Sequence, residues 1–250
     1  MRTTGISIFI IISHILLISC TKQNIGNDLA ELNLAGKIRI LKEARYGATE
    51  KSGHIQKKEL NLKHVVMFNN KGNITEENYF FSNGELFYRM AFNYDKKDNC
   101  IEKITSGNLQ GRSINTYDKN DNKIQTNFYD NQGAFMSKVI YKWDENGNNI
   151  EQILHDSLST RRSVLHYNNK HKVVEVINYN PDGRLTDKYS YRYNRKGNLI
   201  ESTRFSADGN LNSKSELRYD KSDKHGNWLM RMEYTNDILY GLTEREMEYY

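Results

Sequence analysis

The chain has 250 residues, 27% of them charged and 37% hydrophobic, with 17 Tyr against 9 Phe and 2 Trp and a formal net charge of +5. Apolar material this sparse in a chain this long argues against a thick-cored globule and for a thin or hollow architecture. Lysine and arginine are interleaved with acids and form no basic block, which speaks against nucleic acid as a partner. The first element in chain order is "MRTTGISIFIIISHILLISC", one basic residue, Arg2, followed by an apolar run from Ile6 to Ile18 broken only by Ser7, Ser13 and His14. That run is short for a bilayer span and has the form of a signal-peptide core.

The run ends in Leu17-Ile18-Ser19-Cys20, which resembles the lipobox of bacterial lipoproteins. The resemblance implies cleavage before Cys20, residues 1–19 being the signal peptide, and acylation of the Cys20 thiol and of the new amine. Several acyl chains, palmitate among them, would anchor the protein durably to a membrane, which one chain would not. Thr21 follows where an aspartate marks inner-membrane retention in some bacteria, so the resemblance favours the outer membrane. "TKQNIGND" lacks the acidic stretch associated with surface export in lipoproteins of Bacteroidota, so a periplasmic face is expected over the cell surface. With Cys20 lipidated, Cys100 is a lone thiol, expected as a small apolar strand residue, and no disulfide framework is possible.

Residues 20–33 read as lipid anchor and tether, with a helical turn at "DLAELNL", and residues 34–250 as one β-repeat domain. "GKIRILKEARYG" predicts a strand, "GATEKSG" a longer loop and "HIQKKELNLKHVVMF" the returning strand. From there an aromatic residue recurs as Phe68, Tyr94, Tyr117, Trp143, Tyr167, Tyr193 and Tyr219, at intervals of about 26 residues. Each precedes a turn segment such as "DKKDN", "DENGN" or "NRKGN". There an opening Asp or Asn can bond backbone two residues on, and a later Gly or Asn accepts φ > 0. A second turn type falls midway, around Gly84, Gly107, Gly133, Gly183 and Gly209, with a degenerate copy near Ser157. Two turns per repeat leave about 8 residues per strand and about 14 strands in all.

Fixed-period self-similarity means a repeat architecture, here an all-β antiparallel up-and-down meander. Residues two and four before each repeat aromatic, such as Val66, Phe92, Tyr141 and Tyr191, share its face, whereas Lys142, His166, Arg192, Glu216 and Arg218 point the other way. A sheet with one apolar face and this many strands must curl. A strongly curved sheet wrapping over that face is expected, with a sandwich or a closed barrel as the alternative. The closing "LTEREMEYY", with Glu244, Glu246 and Glu248 alternating against Arg245, Met247 and Tyr249, predicts a charged final edge strand.

"YDKKDN", "YDKNDN", "WDENGN" and "YNRKGN" are similar to the YD or Rhs-type repeat, and "FSNGEL", "YNPDGRL" and "FSADGNL" to a MORN-type repeat. Together with the lipobox, the chain resembles uncharacterised lipoproteins of Bacteroidota-like bacteria. That resemblance implies a β-sheet scaffold in the cell envelope and brings no catalytic residues with it.

Chemistry-bearing motifs are sparse. The histidines show no metal-ligand spacing, although His155 and His166 lie on neighbouring predicted strands. Asp95, Asp118, Asp144 and Asp220 recur at turn openings, where a backbone-bonding role explains them without catalysis. No nucleophile elbow, phosphate loop or dinucleotide fingerprint is present. The expectation is a non-enzymatic protein without cofactor or metal, an interaction or scaffold module for an envelope protein. The alternative is glycan binding on the cluster Tyr141, Trp143, Tyr189, Tyr191 and Tyr193 with Arg192, the competing reading of those aromatics being packing inside the sheet. The interaction reading points to outward charges such as Arg192 and Arg218.

Overall fold

A computed structural model describes residues 26–250; the signal segment and Cys20 lie outside the described residues. It contains one short helix, α1 (Asp28–Glu31), and sixteen antiparallel strands closed into a barrel. The strands are β1 (Ile38–Lys51), β2 (His54–Phe68), β3 (Ile74–Phe81), β4 (Leu86–Tyr94), β5 (Cys100–Gly107), β6 (Gly111–Tyr117), β7 (Lys123–Tyr129) and β8 (Phe135–Trp143). They continue as β9 (Asn149–Asp156), β10 (Thr160–Tyr167), β11 (Val173–Tyr179), β12 (Leu185–Tyr193), β13 (Leu199–Ser206), β14 (Leu211–Ser222), β15 (Trp228–Thr235) and β16 (Ile238–Tyr249). Each strand pairs with its sequence neighbours, and β16 returns to pair with β1, from Ile38↔Tyr249 to Gly47↔Gly241.

The curl expected of the meander is therefore carried to closure. Two expectations for the chain's ends need correction. β16 is no edge strand: Glu248 pairs with Arg39 and Lys42, and Glu244 with Lys57. The expected loop at "GATEKSG" is strand down to Lys51, leaving Ser52 and Gly53 as the turn.

Except at the copies near Gly107 and Ser157, the two turn types of the sequence share one backbone geometry. In the turn opened by Asp95, the Asp95 N–H donates to the Asn99 carbonyl and the Asp98 N–H to the Asp95 carbonyl. The same pair of bonds joins Asp130 to Ala134 and Gly133 to Asp130 in the second type. Asp95, Asp118 and Asp144 accept backbone N–H groups two and four residues on, as the sequence suggests. In the last copy that role falls to Asp223 and not Asp220, because β14 runs three residues further before turning.

The repeat aromatics explain the period. Apart from Phe68, which packs in the core, each donates across the inner wall to the carbonyl of the first residue of a preceding strand. Tyr94 reaches Ile74, Tyr117 Cys100, Trp143 Lys123, Tyr167 Asn149, Tyr193 Val173 and Tyr219 Leu199, at 2.6–2.8 Å. One latch per repeat ties each hairpin to its neighbour, and a buried aromatic with a polar tip is the side chain that can do so.

One end of the barrel is plugged. The segment expected as a tether becomes, from Asn27 on, a strap across the mouth formed by the first-type turns. Asn27 caps α1 and donates to the Lys71 carbonyl, and Asp28 accepts from the Ile74 N–H and the Tyr94 hydroxyl. On the far side of the ring, Asn33 donates to the Lys196 carbonyl and to Asn198 Oδ1, and the Ala35 N–H donates to Asn227. Leu29 and Leu34 thereby cover Ile38, Leu41, Val66, Phe68, Ile74, Phe92 and Cys100, the main apolar core. Cys100 is buried there, as expected of a small apolar strand residue.

Gly72 is where strap and wall meet most closely. Its φ is +84°, and a Cβ there would lie 2.5 Å from Asn27 Nδ2 and 2.9 Å from Leu29 Cδ1, whereas Gly133 at φ +83° has nothing within 4 Å. Gly133→Ala should cost about 1 kcal/mol of backbone strain, and Gly72→Ala about 2–3 kcal/mol because it also displaces the strap. Urea unfolding midpoints of the two variants check the difference.

Candidate functional site

The repeat aromatics and their same-face neighbours look into the barrel, so the site to consider is its lumen. Sixteen strands enclose more space than their own side chains fill. Away from the plugged end the inner residues of β8 and β12 are only half-buried. The lumen has two unlike walls.

The first wall is ionic and lies on β15, β16, β1, β2 and β3. Inner positions there carry Glu233, Arg231, Thr243, Arg245, Glu43, Arg45, His64 and Glu77. Glu233, only 1% exposed, accepts from Arg231 at 2.7 Å and from Thr243 at 3.0 Å and pairs with Arg45. Arg245 donates to Glu43 at 2.7 Å, with its guanidinium centred 3.4 Å above the Trp228 ring. The His64 ring bridges Glu43, at 3.4 Å, and Glu77, at 3.1 Å, and stacks on Tyr79, which stacks on Tyr88. Burial opposes the imidazolium, but hydrogen bonds and charge from the two carboxylates outweigh it and hold the His64 pKa up at about 9. Burial likewise opposes charge on Glu77, and His64 and the Tyr79 hydroxyl reverse the effect and hold it below its ordinary range. Every charge here has a partner, which makes this wall structural in character.

The second wall, from β6 to β13, is tyrosine and neutral polar. Tyr141 hydrogen-bonds to Thr126 at 3.1 Å, Thr126 donates to Asn115, and Lys123 Nζ lies 4.6 Å from the Tyr141 ring centroid. Further round, Ser163 donates to Asn178, Asn178 to Asp187, and Arg204 to Asp187. Tyr189 and Tyr191 stand there with near-parallel rings 6.4 Å apart.

The aromatics singled out from the sequence fall on this second wall with different duties. Trp143 and Tyr193 are latches. Tyr141, Tyr189 and Tyr191 face the lumen half-buried, and the Tyr191 hydroxyl makes no hydrogen bond to any described residue. Tyr141 is four strands from the β12 tyrosines, and Arg192 stands on the outer face, bonded to Glu201. The structure therefore does not gather the six into one site. His155 and His166 do not approach each other, the first bonding Thr160 and the second Glu175. Among the described residues no cluster of three or more His, Cys, Asp or Glu could hold a metal.

The outer wall is charged along its strands. Arg192, Glu201, Lys214, Glu216 and Arg218 form one cross-strand ladder, and His166, Glu175 and Lys188 another. A lipid-facing barrel needs an apolar outer band, and Lys or Arg at mid-bilayer costs about 2–4 kcal/mol each. This wall is suited to water.

The two mouths differ. The first inner residue after five of the seven first-type turns is buried, Ile74, Cys100 and Trp228 among them. The residues that follow the second-type turns, Leu86, Phe135 and Leu211, lie on the outer face, opposite Phe80, Tyr129 and Phe205, and are 45%, 57% and 59% exposed. The pair next to the turn faces inward at the plugged end, under the strap, and outward at the other end, in solvent. Leu158, 94% exposed, and Ile238 extend this apolar lip.

No protein-family model matches the chain, and no curated protein matches it. Among solved structures it is similar to a porin-like protein from Bacteroides uniformis, at 9% identity over 86% of this chain and 98% of that one, with a TM-score of 0.43. A porin-like protein from Bacteroides vulgatus has 13% identity over 86% of this chain and 99% of its own, with a TM-score of 0.36. The TcdB2-TccC3 structure has 10% identity over 80% of this chain and 15% of that chain, with a TM-score of 0.22.

Proposed function

We propose that this is a non-enzymatic lipoprotein of the cell envelope, anchored through Cys20 at the outer membrane on its periplasmic face, that acts as a protein-interaction module. The observation that carries the reading is the unplugged mouth. The outer side of its rim presents Leu86, Phe135, Leu158, Leu211 and Ile238 to solvent, and exposed apolar patches mark interaction surfaces. On that outer face Phe135 stands beside Tyr129 and Leu211 beside Phe205, so these hairpins offer apolar pairs to a partner. A partner offering an apolar segment would lie along this outer rim. The charged outer residues first suspected, Arg192 and Arg218, are engaged in their own ladder and are poorer candidates.

Site-specific photo-crosslinking in intact cells tests this. A crosslinker at Phe135 or Leu211 is expected to give one reproducible protein adduct, and a crosslinker at Arg192 none. Asp at Leu158 and Ile238 should abolish the adduct without changing thermal unfolding, since those side chains are exposed. An adduct equal from wall and lip, or none from the lip, rejects the reading.

The tyrosine wall supports a second reading, a glycan in the lumen, because aromatic faces beside an Asn-Asp-Arg network suit a sugar's two kinds of surface. Tyr191→Ala should then abolish retention on an immobilised oligosaccharide while leaving the melting temperature within about 2 °C, roughly the shift of a mild surface change. A melting loss without a binding change would assign Tyr191 to packing alone.

A further inference from the structure

The turns at the plugged end differ in charge from those at the open end. At the two tip positions of the seven first-type turns stand Lys96, Lys119, Lys170, Arg195, Lys196 and Lys224, all exposed and none in an ion pair with a described residue. Lys71 and Lys97 add to them but are neutralised by Asp98 and Asp121. The one acid at these tips is Glu145. The turn-opening acids Asp95, Asp118, Asp144 and Asp223 lie behind the tips, half-buried and bonded to backbone N–H groups. The open-end tips carry no cation and the acids Asp182, Asp208 and Asp237.

We propose that the ring of lysine and arginine tips at the plugged end docks on an anionic phospholipid surface, so that the barrel stands on the membrane with its open mouth pointing away. The reading of Cys20 as the anchor supports this but is separable from it. Asn27 lies at the β2–β3 turn, inside the cationic ring. From Cys20 to Asn27 is seven residues, which extended span at most about 25 Å. An acylated Cys20 would therefore hold this end, and not the other, near the headgroups. Close to an anionic surface each exposed cation is attracted, and at physiological salt the attraction fades within about 8 Å, which favours protruding tips over the aspartates behind them.

The test uses the chain from residue 20 onward with Cys20→Ser, so that no acyl chain contributes, and sedimentation with vesicles. It is expected to bind vesicles containing phosphatidylglycerol, to ignore phosphatidylcholine vesicles, and to be released by 0.5 M NaCl. Lys96→Glu, Lys119→Glu, Lys170→Glu and Arg195→Glu together should weaken binding at least tenfold. Lys51→Glu with Arg184→Glu, at the open end, should leave it unchanged. Circular dichroism melts confirm that both variants fold. Absence of binding to the anionic vesicles, or binding indifferent to the ring reversal, overturns the proposal. Intact mass of the protein extracted from cells tests the anchor separately, since loss of Cys20 acylation would leave the vesicle result standing.

Discussion

Glu233→Ala is expected to cost about 3 kcal/mol of stability, because it leaves the half-buried guanidiniums of Arg45 and Arg231 without their carboxylate inside the barrel. Glu233 takes bonds from Arg231, Thr243 and Arg45, and its side chain is all but sealed from solvent. The side chains of Arg45 and Arg231 are each 24% exposed, so water compensates their charge only in part once the carboxylate is gone. Glu233→Gln keeps the shape and an acceptor oxygen but not the charge, and should fall between alanine and the parent. Glu233→Ala combined with Arg45→Met should recover part of the loss, since one orphaned charge is then gone. Urea unfolding of the four proteins provides the test. Similar losses for alanine and glutamine would mean that shape matters here and charge does not.

That wall is also where the sequence is hardest to read. Over the repeats, alternation gives the correct faces: Tyr193 and Tyr191 inward, Arg192 outward, and the turn aspartates bound to backbone. In β15 the pattern inverts. Met230, Met232 and Tyr234 would be taken for the inner face, yet Arg231 and Glu233 sit opposite the inward Tyr219 and Leu217. The apolar residues lie outside, where Tyr234, Leu239 and Leu242 pack with Ala48 in a second core. Tyr46↔Leu242 and Leu41↔Met247 stand on opposite faces of the same uninterrupted β1–β16 pairing, which separates this core from the one under α1. Arg218 over the Tyr234 ring at 4.2 Å and Lys57 over Tyr46 at 3.8 Å cover its margin.

The pairs that make the ionic wall are far apart along the chain, Glu43 with Arg245 and Arg45 with Glu233. Only closure of β1 onto β16 brings them together, and no local pattern announces closure. A hint is present in the i, i+2 spacing of Glu43 with Arg45 and of Arg231 with Glu233. Such spacing puts opposite charges on one strand face. The strap was harder still: "DLAELNL" shows a helical turn, but its place across the mouth depends on turns as distant as Lys71 and Asn198.

His64 makes stability depend on pH in a direction its environment fixes. Its imidazole has an ordinary pKa of 6.5 and is held up at about 9 in the folded protein. A group raised on folding stabilises fully below its unfolded pKa, and the contribution is lost as pH rises through the folded value. The barrel should therefore lose up to about 3 kcal/mol between pH 6.5 and pH 9, by the linkage of pKa shift to free energy. Glu43 and Glu77 act oppositely: burial resists their charge, but Arg245 and His64 for Glu43, and His64 for Glu77, hold both below the ordinary carboxylate range. Their contribution is present above about pH 4.5 and fades as pH falls. Together the three groups place the stability maximum between roughly pH 5 and 6.5. Denaturant unfolding across pH 5 to 9 should show the decline in the parent, and His64→Gln should be less stable at pH 6 but nearly flat from 6.5 to 9. A variant that kept the parent's slope would show that another group titrates there, and that the stacked His64–Tyr79–Tyr88 column holds its place without the charge.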